Sequence, residues 1–170
     1  PYPVWVSEIM LQQTRVEAVL GYYRRFLAAF PTVEDLARAP EEQLLKLWEG
    51  LGYYSRARNL QKAARRVAEE LGGRFPDSFE GLLALPGVGE YTAGAVASIC
   101  FDRPCAAVDG NVLRVLSRFL ADDSPRETMK KWAKPALEAV YPPGQCGMFT
   151  QALMELGATV CVPNGAPRCG

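Results

Sequence analysis

Two carboxylates, Glu8 and Asp109, stand out among the ionisable residues because the sequence around them favours opposite protonation states. On a helix predicted over residues 4–13, Glu8 shares a face with Val4, Trp5, Leu11 and Gln12, and three of these four are apolar. Burial on that face disfavours the anion, so Glu8 is expected to hold a proton that it can donate near neutral pH. Asp109, in Asp109-Gly110-Asn111, stands where a further helix opens. At an N-cap its carboxylate accepts backbone N–H bonds, which favours the ionised form. A protonated carboxyl working with a bare carboxylate is the arrangement that breaking a glycosidic bond requires. Each residue also has a purely structural reading, Glu8 at the rim of an amphipathic helix and Asp109 as a cap. Asn111 can orient either carboxylate through its amide. The chain has no histidine, which removes imidazole bases, serine-type triads and His-ligated zinc and leaves acid–base work to carboxylates, tyrosine or lysine.

Two turns could contact a ligand. Leu85-Pro86-Gly87-Val88-Gly89 joins a helix predicted over residues 79–84 to one over residues 91–100. Two glycines one residue apart let the backbone turn sharply and turn N–H groups outward at a helix start, a nest of donors suited to a phosphate. An ordinary hairpin of two helices closed by glycines is the alternative. The second turn, Gly50-Leu51-Gly52-Tyr53, offers Leu51 and Tyr53 for insertion between bases, with packing beneath the turn as the alternative.

The strings LPGVGEYTAGAV and VDGNVLRVLSR resemble the helix-hairpin-helix and Gly/Pro-Asp signature of base-excision DNA glycosylases. Within that superfamily SEIMLQQTRV, residues 7–16, is similar to the MutY-type adenine glycosylases more than to endonuclease III, and the likeness runs along essentially the whole chain. The resemblance implies a helix-hairpin-helix glycosylase fold, with a six-helix barrel lobe over residues 1–104 and a second helical lobe over residues 105–170. It implies removal of adenine mispaired with 8-oxoguanine or guanine in double-stranded DNA, the adenosine flipped into a pocket between the lobes. Glu8 would protonate the adenine, Asp109 would stabilise the sugar cation, and Asn111 would orient a carboxylate. Gln13 and Thr14 would lie at the lesion, Leu51 and Tyr53 would form the wedge, and amides of Leu85, Gly87, Val88 and Gly89 would grip a phosphate. Tyr91 occupies the position of the lysine of bifunctional relatives. A phenol cannot form an imine, so base removal without efficient strand nicking is expected, with Tyr91 bonding near Asp109.

The elements that must position these residues read as helices throughout, with no alternating strand pattern: an all-α protein. Helices are expected over residues 15–30, 33–39, 41–48, 54–70, 125–140 and 147–158. Thr14 with Glu17, Thr32, and Asp77 with Glu80 supply N-terminal caps. Inward stripes are Val16, Val19, Leu20, Tyr23, Phe26 and Leu27; then Ala57, Leu60, Ala64, Val67 and Leu71; then Val112, Val115, Leu116 and Phe119, with Arg114 and Arg118 outward. Nineteen basic residues balance nineteen acidic ones, so any nucleic-acid affinity depends on a local basic face, for which Arg24, Arg25, Arg56, Arg58, Lys62, Arg65, Arg66, Arg114 and Arg118 are candidates.

No apolar run is long enough to span a bilayer and no secretory signal is visible; a monomeric, reduced cytoplasmic protein is expected, nucleoid-associated if bacterial. Neither end looks like a natural terminus, so the chain is expected to be a fragment. Cys161 and Cys169 resemble the opening of the family's iron–sulfur loop, implying two of the four ligands of a 4Fe-4S cluster; seven residues separate them where six are usual. Cys100, Cys105 and Cys146 read as core. Two rivals remain: a bifunctional pyrimidine glycosylase of the endonuclease III kind, and a non-catalytic DNA-binding module that retains the hairpin.

Overall fold

The structure, a computed structural model, describes residues 1–164 and 166–169. Its regular elements are all helical among these residues, as the sequence leads one to expect. The chain divides into two compact units, Pro1–Thr92 and Ala93–Gly170.

In the first unit, α1 (Tyr2–Leu11), α2 (Val16–Ala29), α3 (Val33–Arg38) and α4 (Glu41–Trp48) precede α5 (Tyr54–Arg65), which runs on into a π-helical turn, Arg66–Glu70. Helix α5 packs against α1, α3 and α4. Its stripe Ala57, Leu60, Ala64 and Val67 is fully covered, while Leu71 beyond the helix end is exposed. Small residues along this stripe let neighbouring helices approach, and the volume is filled by Trp5, Trp48 and Phe26, all within 1 % of complete burial. The rings meet edge to face, Phe26 with Phe30 and with Trp48, and Trp5 with Phe75, the geometry that ring quadrupoles prefer. Helix α2 turns less of itself inward than its periodicity predicts. Val19 and Phe26 are buried, but Val16 and Leu20 are 57 % and 50 % exposed, because α1 and α4 cover one side of a stripe wider than either of them.

Two caps differ from expectation. Arg15, not Thr14, is the N-cap of α2, and it makes no side-chain capping bond; the Thr14 hydroxyl instead donates to the carbonyl of Gln12. At α6 (Phe79–Leu83) the cap is Ser78, one residue after Asp77, whose hydroxyl accepts from the Gly81 amide. Thr32 caps α3 as expected, in a reciprocal box with Asp35. Helix α7 (Glu90–Phe101) begins in the first unit and ends in the second.

In the second unit, α8 (Gly110–Phe119), α9 (Arg126–Glu138) and α10 (Cys146–Glu155), extended by a π-helical turn at Leu156–Val160, enclose a core around Val112, Leu137, Tyr141 and Cys146, with Leu113, Met129 and Ala133 on the other side of α8. Cys146 is core, as expected, whereas Cys100 and Cys105 are only half-buried. Phe119 is 83 % exposed rather than inward; it is the last residue of α8, beyond the reach of α9. A buried polar chain runs from Tyr141 through Thr150 to Ser98 at 2.9 and 2.8 Å and ends on the Gly94 carbonyl, so no hydroxyl in it is left without a partner. No helix among the described residues is long and apolar enough to cross a membrane.

Candidate active site

Glu8 sits on α1 one turn from the buried Trp5 and is 8 % exposed, a buried acid as the apolar face predicts. It belongs to the first unit. Asp109 belongs to the second, where it is the N-cap of α8. Its Oδ1 accepts from the backbone N–H groups of Asn111 and Val112 at 2.9 and 2.8 Å, and its Oδ2 accepts from the Asn111 side-chain amide at 2.9 Å. Both oxygens act as acceptors and both are fixed in orientation. Asn111 in turn accepts, through Oδ1, from Arg114 Nη1 at 3.0 Å.

Arg114 thereby joins this cluster. Placed outward by periodicity, it instead turns in: Nε donates to the Cys161 carbonyl at 2.8 Å and Nη2 to the Gly157 carbonyl at 2.7 Å. Gly157 permits this approach, since a Cβ there would stand 3.0 Å from that of Asn111. The neighbouring Arg118 donates to Cys161 Sγ at 3.2 Å and to the Val162 carbonyl at 2.9 Å. Cys161 is buried and Cys169 exposed; residues 165 and 170 of the expected cluster loop lie outside the described residues. Among the described residues no group of three or more cysteine and acidic side chains is gathered as a metal site.

At the hairpin, Leu85 and Val88 are buried, while Gly87 and Gly89 are exposed. The Val88 N–H bonds the Leu85 carbonyl at 3.1 Å. The two glycines serve different ends. Gly87 has φ +76°, and a Cβ there would lie 2.7 Å from that of Asn59. Gly89 has no such backbone demand, and a Cβ there would meet nothing within 4 Å: its open side lies toward solvent. Tyr91 is half-buried in the first turn of α7.

The third cluster joins two turns. Gln13 and Tyr53 both have left-handed backbones, at φ +57° and +47°. Tyr53 is 62 % exposed, whereas Leu51 is 6 % exposed and packs beneath the turn, the alternative its sequence leaves open. Gln13 is exposed; Gln12 reaches the buried Thr92 hydroxyl at 3.4 Å. Arg56, a candidate for the basic face, is drawn in between the turns. Burial lowers its pKa, an effect that the Tyr53 phenol partly opposes.

A family profile described as "HhH-GPD superfamily base excision DNA repair protein" matches residues 6–137. The chain belongs to the HhH-GPD superfamily. It is 52 % identical over 171 residues to an adenine DNA glycosylase of Rattus norvegicus and 53 % identical over 171 residues to that of Mus musculus, covering 99 % of the chain in each case. The chain spans 33 % of the length of each of these relatives. Among solved structures, a thermostable thymine-DNA glycosylase superposes with a TM-score of 0.88 at 32 % identity, covering 99 % of this chain and 78 % of that one. A trapped endonuclease III–DNA covalent intermediate superposes with a TM-score of 0.80 at 27 % identity, covering 98 % and 77 %.

Proposed function

We propose that this chain carries the catalytic residues of a monofunctional adenine DNA glycosylase that removes adenine opposite 8-oxoguanine or guanine from duplex DNA. The observation that carries the reading is the Asp109 carboxylate, held by three N–H donors of Asn111 and Val112 at 2.8–2.9 Å, in a chain half identical to adenine glycosylases. A carboxylate held by three donors is fixed in orientation, suited to stabilising an oxocarbenium-like sugar. Glu8, buried on α1, is the proton donor that makes adenine a neutral leaving group. The amides around Gly87 and Gly89 hold a backbone phosphate and fix register without reading sequence. Tyr53 stacks beside the mispaired purine, flanked by Gln13 and Thr14. Leu51, buried, supports that turn from beneath. Tyr91 supplies no amine, so the sugar forms no Schiff base and the strand is not nicked.

The family's 4Fe-4S group would supply structural ligation of the loop that follows α10. Cys161, buried and held by Arg114 and Arg118, is pre-positioned as a ligand, and Cys169 is available as a second. Two thiolates do not complete a set of four. The chemistry above is carried by side chains alone.

The test is incubation with duplexes carrying adenine opposite 8-oxoguanine, adenine opposite guanine, or thymine glycol, with and without alkali. Adenine release with strand breakage only after alkali is expected. Release from thymine glycol with breakage before alkali would sink the reading in favour of an endonuclease III activity; no release from any duplex would favour a binding module.

A further inference from the structure

We propose that Arg56 is a positioning residue that locks the two exposed left-handed turns, at Gln13 and Tyr53, into one surface for recognising the mispair; this rests on the functional reading above. Neither Gln nor Tyr favours the left-handed region, and two such residues persist only where the surroundings over-determine them. The turns lie forty residues apart in sequence, and one side chain reaches both. Arg56 Nη1 donates to the Ile9 and Met10 carbonyls at 3.1 Å each and to the Gln12 carbonyl, all three at the C-terminal end of α1. Arg56 Nη2 donates to the Leu51 carbonyl at 2.9 Å and, more weakly, to the Gly52 carbonyl at 3.3 Å and the Thr14 hydroxyl at 3.4 Å. Helix ends leave carbonyls without intrahelical partners, and here one guanidinium satisfies those of α1 while bonding the other turn.

The same guanidinium lies 5.6 Å from the Trp48 ring centroid and 5.5 Å from that of Tyr53. Trp48 is fully buried and its indole N–H donates to the Gly52 carbonyl at 3.1 Å, so Tyr53 is tied through Arg56 to the rigid core. Gln12, Gln13, Tyr53, Ser55 and Arg56 line a cavity of about 470 Å³. A planar fork is needed to serve this many diverging acceptors; a lysine ammonium, with three donors at one point, cannot.

The test uses the full chain and Arg56→Lys, which keeps the charge. Amide hydrogen exchange of segments 11–15 and 50–54 is expected to accelerate together by about tenfold or more, with α3 unchanged. Acceleration in one segment alone, or in neither, overturns the proposal. Affinity of Arg56→Lys for a mispaired duplex is expected to fall about tenfold while affinity for a fully paired duplex is retained. Equal losses on both duplexes would reveal a merely structural role and also overturn it. A measurement that leaves Arg56 in place guards against misfolding: Gln13→Ala and Tyr53→Ala are expected to act on mispair affinity non-additively, and strict additivity counts against the lock. The wild-type chain runs in the same series. Its failure to release adenine would overturn the functional reading, while the exchange result still decides whether Arg56 couples the turns.

Discussion

The side-chain amide of Asn111 donates to Oδ2 of Asp109 at 2.9 Å while the backbone amide of the same residue donates to Oδ1 at 2.9 Å. One residue therefore fixes both oxygens of the proposed catalytic carboxylate, and its own carbonyl oxygen is held by Arg114. Replacing Asn111 by Ala keeps the backbone bond and removes the other two. Single-turnover adenine release is expected to fall about a hundredfold, the scale on which one preorganised donor acts, with duplex affinity retained.

Asp109 is a cap for which a chemical role is proposed, and two variants separate the two. Asparagine caps as well as aspartate, so Asp109→Asn is expected to melt within about 0.5 kcal/mol of wild type yet lose adenine release at least about a thousandfold. Asp109→Ala loses release and about 1 kcal/mol of stability as well. Equal thermal stability of the two variants would show that the capping bonds contribute nothing.

The hairpin glycines are expected to fail in opposite ways. Gly87→Ala forces a side chain onto φ +76° and against Asn59, so chemical denaturation should show a loss of more than about 1 kcal/mol. Gly89→Ala meets nothing within 4 Å inside the protein. Its stability should match wild type while duplex affinity drops, because the new methyl occupies the approach to the amides. Intact affinity in Gly89→Ala would remove the hairpin from the phosphate contact.

Borohydride trapping tests Tyr91. With a phenol at that position, no covalent protein–DNA adduct is expected from any adenine-containing duplex, and a stable adduct on a denaturing gel would refute monofunctional chemistry.

Stability should decline in alkali for a stated reason. Burial raises the Tyr2 pKa above the ordinary phenol value, with Asp35 and Tyr23 adding to it, and its hydroxyl donates to the Phe30 carbonyl at 2.9 Å. A raised phenol pKa means that the folded state favours the neutral form. Its contribution is complete below pH about 10 and lost as pH climbs through the folded value. Tyr141, also raised by burial, adds a second such term. Tyr2→Phe should cost about 1 kcal/mol at neutral pH and flatten the alkaline fall measured by denaturant melts.

What was legible in the sequence followed from local rules. The burial of Glu8 follows from the company it keeps on one face of a helix, the Asp109 cap from Asp-Gly-Asn before an apolar stripe, and the turn at Gly87 from glycine beside proline. What escaped depends on groups remote in sequence. Periodicity places Arg114 outward because it counts side chains, and Arg56 reads only as a candidate for a basic face; the acceptors that draw both in are backbone carbonyls of segments up to 47 residues away. The sequence leaves Leu51 open between insertion and packing for a related reason. Glycines on either side say that the chain turns, not which side chain the turn covers. The left-handed Gln13 carries no signal in its own residue type, and Thr14 was given a helix-capping role that Arg15 occupies without any side-chain bond.

The inward turn of the arginines has a consequence for how the protein would meet a polyanion. Arg56, Arg65, Arg66, Arg114 and Arg118 all donate to main-chain carbonyls, and Arg58 is paired with Glu41. Of the nine candidates for a basic face, these bonds leave Arg24, Arg25 and Lys62, all exposed, to displace the ion atmosphere of a duplex, and amide dipoles release no counterions. Affinity should therefore weaken only gently as salt is added, with a log–log slope nearer that of about two or three neutralised phosphates than of eight.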